Sequence, residues 1–215
     1  MDNISLYEDI KARTGGEIYL GVVGPVRTGK STFIRRFMDL CVIPSILDPN
    51  EKKRIIDELP QAGVGKTVMT TEPKFIPKTG IEIPLSNNVK AKFRLIDCVG
   101  YIVDSAQGVY EDDKERLVKT PWFDENIPFS KAAQTGTEKV IRDHSTIGIV
   151  MTTDGSIGEF TRDDYISAEE KAIMELKKIK KPFIVIVNST FPASDFTRKI
   201  ANEISEKYEV TALPM

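Results

Sequence analysis

The octet Gly24-Pro25-Val26-Arg27-Thr28-Gly29-Lys30-Ser31 constrains the fold of this chain more than any other feature. It has the G-x-x-x-x-G-K-[ST] spacing of a phosphate-binding loop, which needs a strand before it and a helix after it. Both neighbours comply. Ile18-Tyr19-Leu20-Gly21-Val22-Val23 is an almost unbroken apolar run, as expected of a strand buried on both faces. Beyond the loop, Phe33, Ile34, Phe37, Met38 and Leu40 recur at helical spacing and predict one apolar helix face.

The chemistry of such a loop lies in its backbone. Gly24 and Gly29 let the chain turn tightly and approach a ligand without a Cβ in the way. The N–H groups from Gly24 through Val26, Arg27, Thr28, Gly29, Lys30, Ser31 and Thr32 are then expected to cradle phosphates at the positive end of a helix. Lys30 is expected to reach the β- and γ-phosphates of a nucleotide, and the Ser31 hydroxyl to hold magnesium.

A second element follows at Phe93-Arg94-Leu95-Ile96-Asp97-Cys98-Val99-Gly100, an apolar strand ending in D-x-x-G. Asp97 is the expected magnesium-side carboxylate, and the Gly100 N–H the expected γ-phosphate sensor. Between the two motifs, Thr70 and Thr71 are the candidates for a threonine that closes over magnesium and the γ-phosphate. Thr71 joins Ser31 and Asp97 in the expected metal set, though which threonine leads stays open. Tyr101 follows Gly100 where Ras-like enzymes place a water-orienting glutamine, so that glutamine is absent. Arg27 sits where some related GTPases use an asparagine to bind potassium, and an arginine there supplies charge directly.

Base choice is read from the end of a late apolar strand, Phe183-Ile184-Val185-Ile186-Val187, followed by Asn188-Ser189-Thr190-Phe191. Guanine-specific chains have N-K-x-D here. Asn188 survives, but serine replaces the lysine and Phe191 replaces the carboxylate that accepts from guanine. Without that charge-assisted anchor guanine loses its discrimination, and ATP becomes the expected nucleotide, with Mg2+ as cofactor.

Strand-like and helix-like segments alternate along the chain. Helices are expected over 6–13, 48–59, 132–143, 168–178 and 196–207, and strands over 72–76, 89–96, 146–151, 183–187 and 210–213. The stretch 80–84 is a further short strand that would give an antiparallel edge pair, and 61–66 reads as mobile. Residues 97–132 read as a long irregular segment. The pattern predicts a three-layer α/β domain with a mostly parallel central sheet and an antiparallel edge strand. Residues 1–16 form an N-terminal helical segment in this reading, and 17–215 the nucleotide-binding domain. The final strand-like residues stand directly before Met215, which points to a domain cut from a longer protein.

The 215 residues carry 30 basic and 32 acidic side chains, net −2, so no global basic field argues for nucleic acid. Cys41 and Cys98 lie among apolar neighbours without metal spacing and read as buried thiols of a reducing cytosol. His144, the single histidine, reads as structural. No apolar run reaches transmembrane length.

With these residues in place, the chain resembles the stage IV sporulation protein A family, the spore-coat morphogenetic ATPases of endospore-forming bacteria. The likeness runs through Arg13-Thr14-Gly15-Gly16, Tyr19-Leu20-Gly21-Val22-Val23-Gly24, Arg27 to Phe33, and Asp57-Glu58-Leu59-Pro60-Gln61. It continues in Gly65-Lys66-Thr67, Met69 to Phe75, Asp97-Cys98-Val99-Gly100-Tyr101 and His144-Ser145-Thr146-Ile147-Gly148. The resemblance implies a phosphate-loop domain of the translation-factor (TRAFAC) GTPase-like class that has lost guanine specificity. It also implies that ATP hydrolysis drives self-association into a layer on the outer forespore membrane, on the mother-cell cytoplasmic side. A small amphipathic membrane peptide and spore coat proteins are the implied partners, mainly through regions beyond this chain. Lys30 matches the family's loop lysine, Asp97 its strand-end aspartate, and Thr70 and Thr71 its hydrolysis-linked threonines. The competing readings are a GTP-dependent switch of the Era-like ribosome-assembly kind, a small-molecule kinase with a charged lid near 112–116, and a nucleotide-bound scaffold that does not turn over.

Overall fold

The computed structural model describes residues 16–60, 72–86, 89–103, 106, 109–111 and 114–215. The segment 6–13, the glycine-bearing stretch 61–66, and Thr70 and Thr71 therefore lie outside the described residues.

Strand β1 (Glu17–Val23) enters the phosphate loop and α1 (Lys30–Phe37) leaves it. A π-helical turn (Met38–Val42) and a 3₁₀ turn (Ile43–Ser45) finish that arm, with Pro44 in the second turn, where a missing N–H is tolerated. Helix α2 (Pro49–Glu58) starts at Asp48, whose side chain accepts from the Asn50 N–H at 2.9 Å. Next come β2 (Lys74–Ser86) and β3 (Val89–Asp97). Two small hairpins follow, β4 (Tyr110–Glu111) with β5 (Lys114–Glu115), and β6 (Leu117–Thr120) with β7 (Phe123–Pro128). Helix α3 (Phe129–Lys139) passes through a π turn (Val140–His144) into β8 (Ile147–Thr153). The chain closes with α4 (Arg162–Lys178), β9 (Phe183–Asn188), α5 (Asp195–Tyr208) and β10 (Ala212–Pro214).

The central sheet has the order β10-β9-β8-β1-β3-β2. Only β2 runs antiparallel, against β3; the other pairings are parallel. Strand alternation sorts the core into two layers. Leu20, Val22, Leu95, Ile149, Met151 and Ile186 point to the face covered by Ile34, Met38 and Ile55 of the α1–α2 arm. Val23, Ile96, Val150, Val185 and Val187 point to the other face, against Phe129, Tyr165, Ile173, Leu176 and Ile200 of α3, α4 and α5. Both faces are covered, which explains why the parallel strands read as continuous apolar runs.

Several expectations are corrected here. The stretch 97–132 is not wholly irregular, because it holds the two hairpins; their strands are short and mostly exposed, and carry little hydrophobic signal. The two expected strands at 72–76 and 80–84 are one, β2, which starts at Lys74 and has a register shift between Ile76 and Ile81. Helix α4 begins six residues before 168, at Arg162, where Thr161 and Asp164 form a capping box. Leu40 is 72 % exposed and does not share the buried face of Ile34 and Met38, since the π turn rotates it outward. Cys41, in the same turn, is exposed rather than buried, whereas Cys98 is buried and its thiol is pushed up to about 11 by burial. His144 packs edge-on against Phe75 at 5.6 Å between ring centroids. Among the described residues no helix is long and apolar enough to cross a membrane.

Candidate functional site: a phosphate loop at the strand ends

The carboxyl ends of β1, β3, β8 and β9 lie at one edge of the sheet, where open α/β sheets bind ligands. The phosphate loop fills this edge. Gly29 caps α1 with φ +87°, and a Cβ there would collide with the Asn188 side-chain nitrogen. No side chain caps α1 and no acidic residue stands in its first turn, so no carboxylate competes with an incoming anion. Gly100 is equally constrained: at φ +95°, a Cβ would meet both the Gly24 carbonyl and the Lys30 ammonium.

Lys30 is buried and its ammonium donates to the Pro25 carbonyl at 2.5 Å. Burial pushes its pKa down, while Cys98 and Asp97 pull the other way. Ser31 Oγ donates to Asp97 Oδ2 at 2.8 Å. Asp97 Oδ1 is buried with no hydrogen-bond partner. Burial raises the Asp97 pKa, against the Ser31 hydrogen bond and the Lys30 charge. A hydroxyl and one enclosed carboxylate with an unused oxygen suit magnesium, which binds through one or two carboxylates and otherwise prefers water and phosphate oxygens. Among the described residues no group of three His, Cys, Asp or Glu side chains forms a dedicated metal cage. The donor set therefore fits Mg2+ bound together with a nucleotide.

The remaining loop residues divide by what they touch. Val26 turns its side chain into the core, and its N–H donates to the Tyr101 carbonyl at 2.9 Å. Thr28 Oγ1 donates to the Pro25 carbonyl at 3.0 Å. Thr32 is exposed on α1. Arg27 holds a positive φ of 65°, and one guanidinium nitrogen is buried without a hydrogen-bond partner. The Tyr165 hydroxyl is also buried and unpartnered; burial raises its pKa, and the Arg27 charge opposes the rise. The structure thus brings Gly24, Lys30, Ser31, Asp97 and Gly100 together.

Tyr101 was not read from the sequence as a structural tie, yet it stitches the two motifs together. Its N–H donates to the Gly24 carbonyl at 3.0 Å, and its own carbonyl receives the Val26 N–H. Its ring is buried, and burial followed by the nearby Glu138 and Glu175 charges raises its hydroxyl pKa. A buried phenol with a raised pKa is no substitute for a water-orienting glutamine.

On the base side, Asn188 Nδ2 donates to the Thr28 carbonyl at 3.1 Å, so this residue braces the phosphate loop. Ser189 is buried and its hydroxyl donates to Asp154 Oδ2 at 2.6 Å. Phe191 is 71 % exposed. Asp154 follows β8 directly and was missed as a functional candidate. The signal was an acidic residue followed by glycine, Asp154-Gly155, directly after a largely apolar strand.

A family model described as "Stage IV sporulation protein A, ATPase domain" matches residues 1–215. The stage IV sporulation protein A of Clostridioides difficile (strain 630) is 56% identical over 213 residues, covering 99% of this chain and 43% of that protein. The protein of the same name from Bacillus subtilis (strain 168) is 51% identical over 215 residues, covering 100% of this chain and 44% of its own length. The chain spans less than half the length of these relatives. Among solved structures, a Tyr-to-Ala variant of Era from Aquifex aeolicus, bound to GDP.AlF4-, superposes with a TM-score of 0.51 at 16% identity. That match covers 93% of this chain and 51% of the Era chain, and at such identity it carries the fold: an α/β phosphate-loop domain of the GTPase-like class. Phosphate loop, strand-end aspartate and a match over the full length agree: the chain belongs to the stage IV sporulation protein A family, as its ATPase domain.

Proposed function

We propose that this domain binds and slowly hydrolyses ATP with magnesium, and that turnover drives self-assembly of the spore coat basement layer on the forespore surface. The observation that carries the nucleotide reading is the Ser31–Asp97 pair beside Lys30 at the mouth of the phosphate loop. Magnesium, when bound, offsets charge on the β- and γ-phosphates. The chain's own residues do the rest. Lys30 exchanges the Pro25 carbonyl for phosphate oxygens, the α1 N-terminus faces the anion, and the Gly100 N–H reads the γ-phosphate. Thr70 and Thr71 close over the triphosphate in this reading, and Arg27 adds positive charge from the loop. The absence of a glutamine at Tyr101 supports slow turnover.

Preference for ATP rests on the base side. Ser189 is committed to Asp154, and Phe191 offers no acceptor to guanine. The Era-like fold and the retained Asn188 favour a GTP-dependent switch as the second reading. Competition of ATP and GTP for a labelled nucleotide separates the two. The membrane peptide, the coat proteins and the forespore location belong to this proposal as well, through regions beyond the chain. Phosphate release from ATP, measured against protein concentration, tests the link to assembly: specific activity independent of concentration would defeat it.

A further inference from the structure

Asp154 is enclosed at the end of β8, and each of its oxygens takes two hydrogen bonds. Oδ1 accepts from the Ser156 N–H at 2.9 Å and the Ser156 hydroxyl at 2.6 Å. Oδ2 accepts from the Ser189 hydroxyl at 2.6 Å and the Thr197 hydroxyl at 2.7 Å. Four donors on one acceptor-only group suit an ionised carboxylate. Burial acts to raise its pKa, and these hydrogen bonds outweigh it to hold the carboxyl below its ordinary range.

The consequence appears two residues beyond Ser189. Because the Ser189 proton goes to Asp154, its oxygen is left to accept the Phe191 N–H at 2.9 Å. The Phe191 carbonyl takes the Ser194 N–H at 2.9 Å, and the Ser156 oxygen accepts the Thr190 N–H at 2.9 Å. The backbone of this turn is clamped while the Phe191 ring stays exposed. Three residues earlier, Asn188 touches the phosphate loop. A clamped turn with a solvent-exposed aromatic ring therefore follows directly on the residue that braces the phosphate loop.

We propose that Asp154 is the positioning residue for the nucleobase: by directing the Ser189 and Thr197 protons it fixes the 189–191 turn and presents Phe191 as a stacking surface for a purine. This rests on the nucleotide-binding reading above. Stacking on an aromatic ring tolerates either purine, so the Phe191 face supplies affinity for the base and the missing carboxylate removes the guanine preference.

The test compares dissociation constants for magnesium–ATP and for magnesium with inorganic tripolyphosphate, which has no base. Asp154→Asn, Phe191→Ala and the double variant are measured beside the unmodified chain. Each single change is expected to weaken ATP roughly tenfold, a loss of base stacking, and to leave tripolyphosphate within about twofold. The double variant is expected to be no weaker than Phe191→Ala, since Asp154 acts through that ring. Losses that multiply in the double variant, or tripolyphosphate falling in step with ATP, overturn the proposal while leaving the phosphate site intact. An unmodified chain that binds neither compound overturns the nucleotide reading itself. Should Asp154→Asn fail to fold by circular dichroism, Ser189→Ala takes its place with the same expected pattern.

Discussion

The Ser31 hydroxyl donates to Asp97 Oδ2 across 2.8 Å, tying the first turn of α1 to the end of β3. The other carboxylate oxygen is buried and unpartnered. An unused acceptor in a closed site costs free energy in the ligand-free protein, and a cation arriving with a nucleotide would recover it.

Lys30→Ala is expected to weaken magnesium–ATP binding by roughly 10–100-fold, the loss of a charged hydrogen-bonding partner of the phosphates. Calorimetry on the two proteins measures it directly. Unchanged affinity would remove Lys30 from the site.

Asp97→Asn separates stability from function. Burial raises the Asp97 pKa, so the folded chain holds that proton more tightly than the unfolded chain does. The stability this contributes is full below the unfolded pKa and is lost as pH rises through the folded pKa. The ionised carboxylate is therefore the form that the fold disfavours, and the amide removes its charge. The ligand-free variant is expected to melt higher at pH 7, by about 2–4 °C per kcal/mol relieved. The gap should shrink on acidification, as the native carboxyl takes up its proton. ATP hydrolysis in the same variant should fall more than ATP binding. A melting temperature below the parent's at pH 7, or a gap that ignores pH, counts against this account of Asp97.

Away from the site, Glu169 is buried and grips Arg162 through two hydrogen bonds, at 2.6 and 2.8 Å, while accepting from Thr152 Oγ1 at 2.5 Å. Arg162 opens α4 and also reaches the Thr153 carbonyl. Truncating the carboxylate leaves the guanidinium largely enclosed without its partner. Glu169→Ala is expected to cost about 3 kcal/mol, read as a lower urea midpoint. A loss under about 0.5 kcal/mol would place this pair with weak surface bridges.

How much of this was legible in the residues depends on the kind of signal. The motif glycines and Lys30, Ser31 and Asp97 were readable because a phosphate loop needs those residue types at fixed spacing. The sheet was readable because strands buried on both faces are apolar throughout. The hairpins of residues 110–128 were not, because short exposed strands have no apolar pattern to read. Leu40 and Cys41 deceived because periodicity assumes an unbroken α-helix, and a π turn shifts the face. Asp154-Gly155 was legible only as a strand end; its role as a hub was not, because Ser189 and Thr197 come from distant parts of the chain and only the fold brings them to it.

Thr70 and Thr71 are expected to act on turnover rather than on affinity, as threonines beside the γ-phosphate do in switch GTPases. Paired alanine substitutions should keep ATP binding within about threefold and slow phosphate release at least about tenfold, the scale of one lost charge-stabilising contact. Affinity falling in step with rate would make them ground-state ligands instead.

Base choice turns on Phe191. Guanine selectivity requires a carboxylate accepting from two guanine N–H groups, and the phenyl ring at this position has no acceptor. Each buried guanine donor left unpaired costs roughly 1–3 kcal/mol, whereas adenine lacks that donor pair and loses less. Since phosphate contacts serve both nucleotides equally, the expected preference for ATP is modest. Phe191→Asp should shift the ratio of affinities toward GTP, because the turn that carries residue 191 is already held by Ser194 and Ser189. Adding Ser189→Lys completes the N-K-x-D motif but removes the hydroxyl that Asp154 grips, so the double variant is expected to gain less GTP affinity than Phe191→Asp alone. Competition titrations of both nucleotides against the parent and the two variants decide the matter. If the unmodified domain already binds GTP several-fold better than ATP, the base is read elsewhere and the switch-GTPase reading takes the lead.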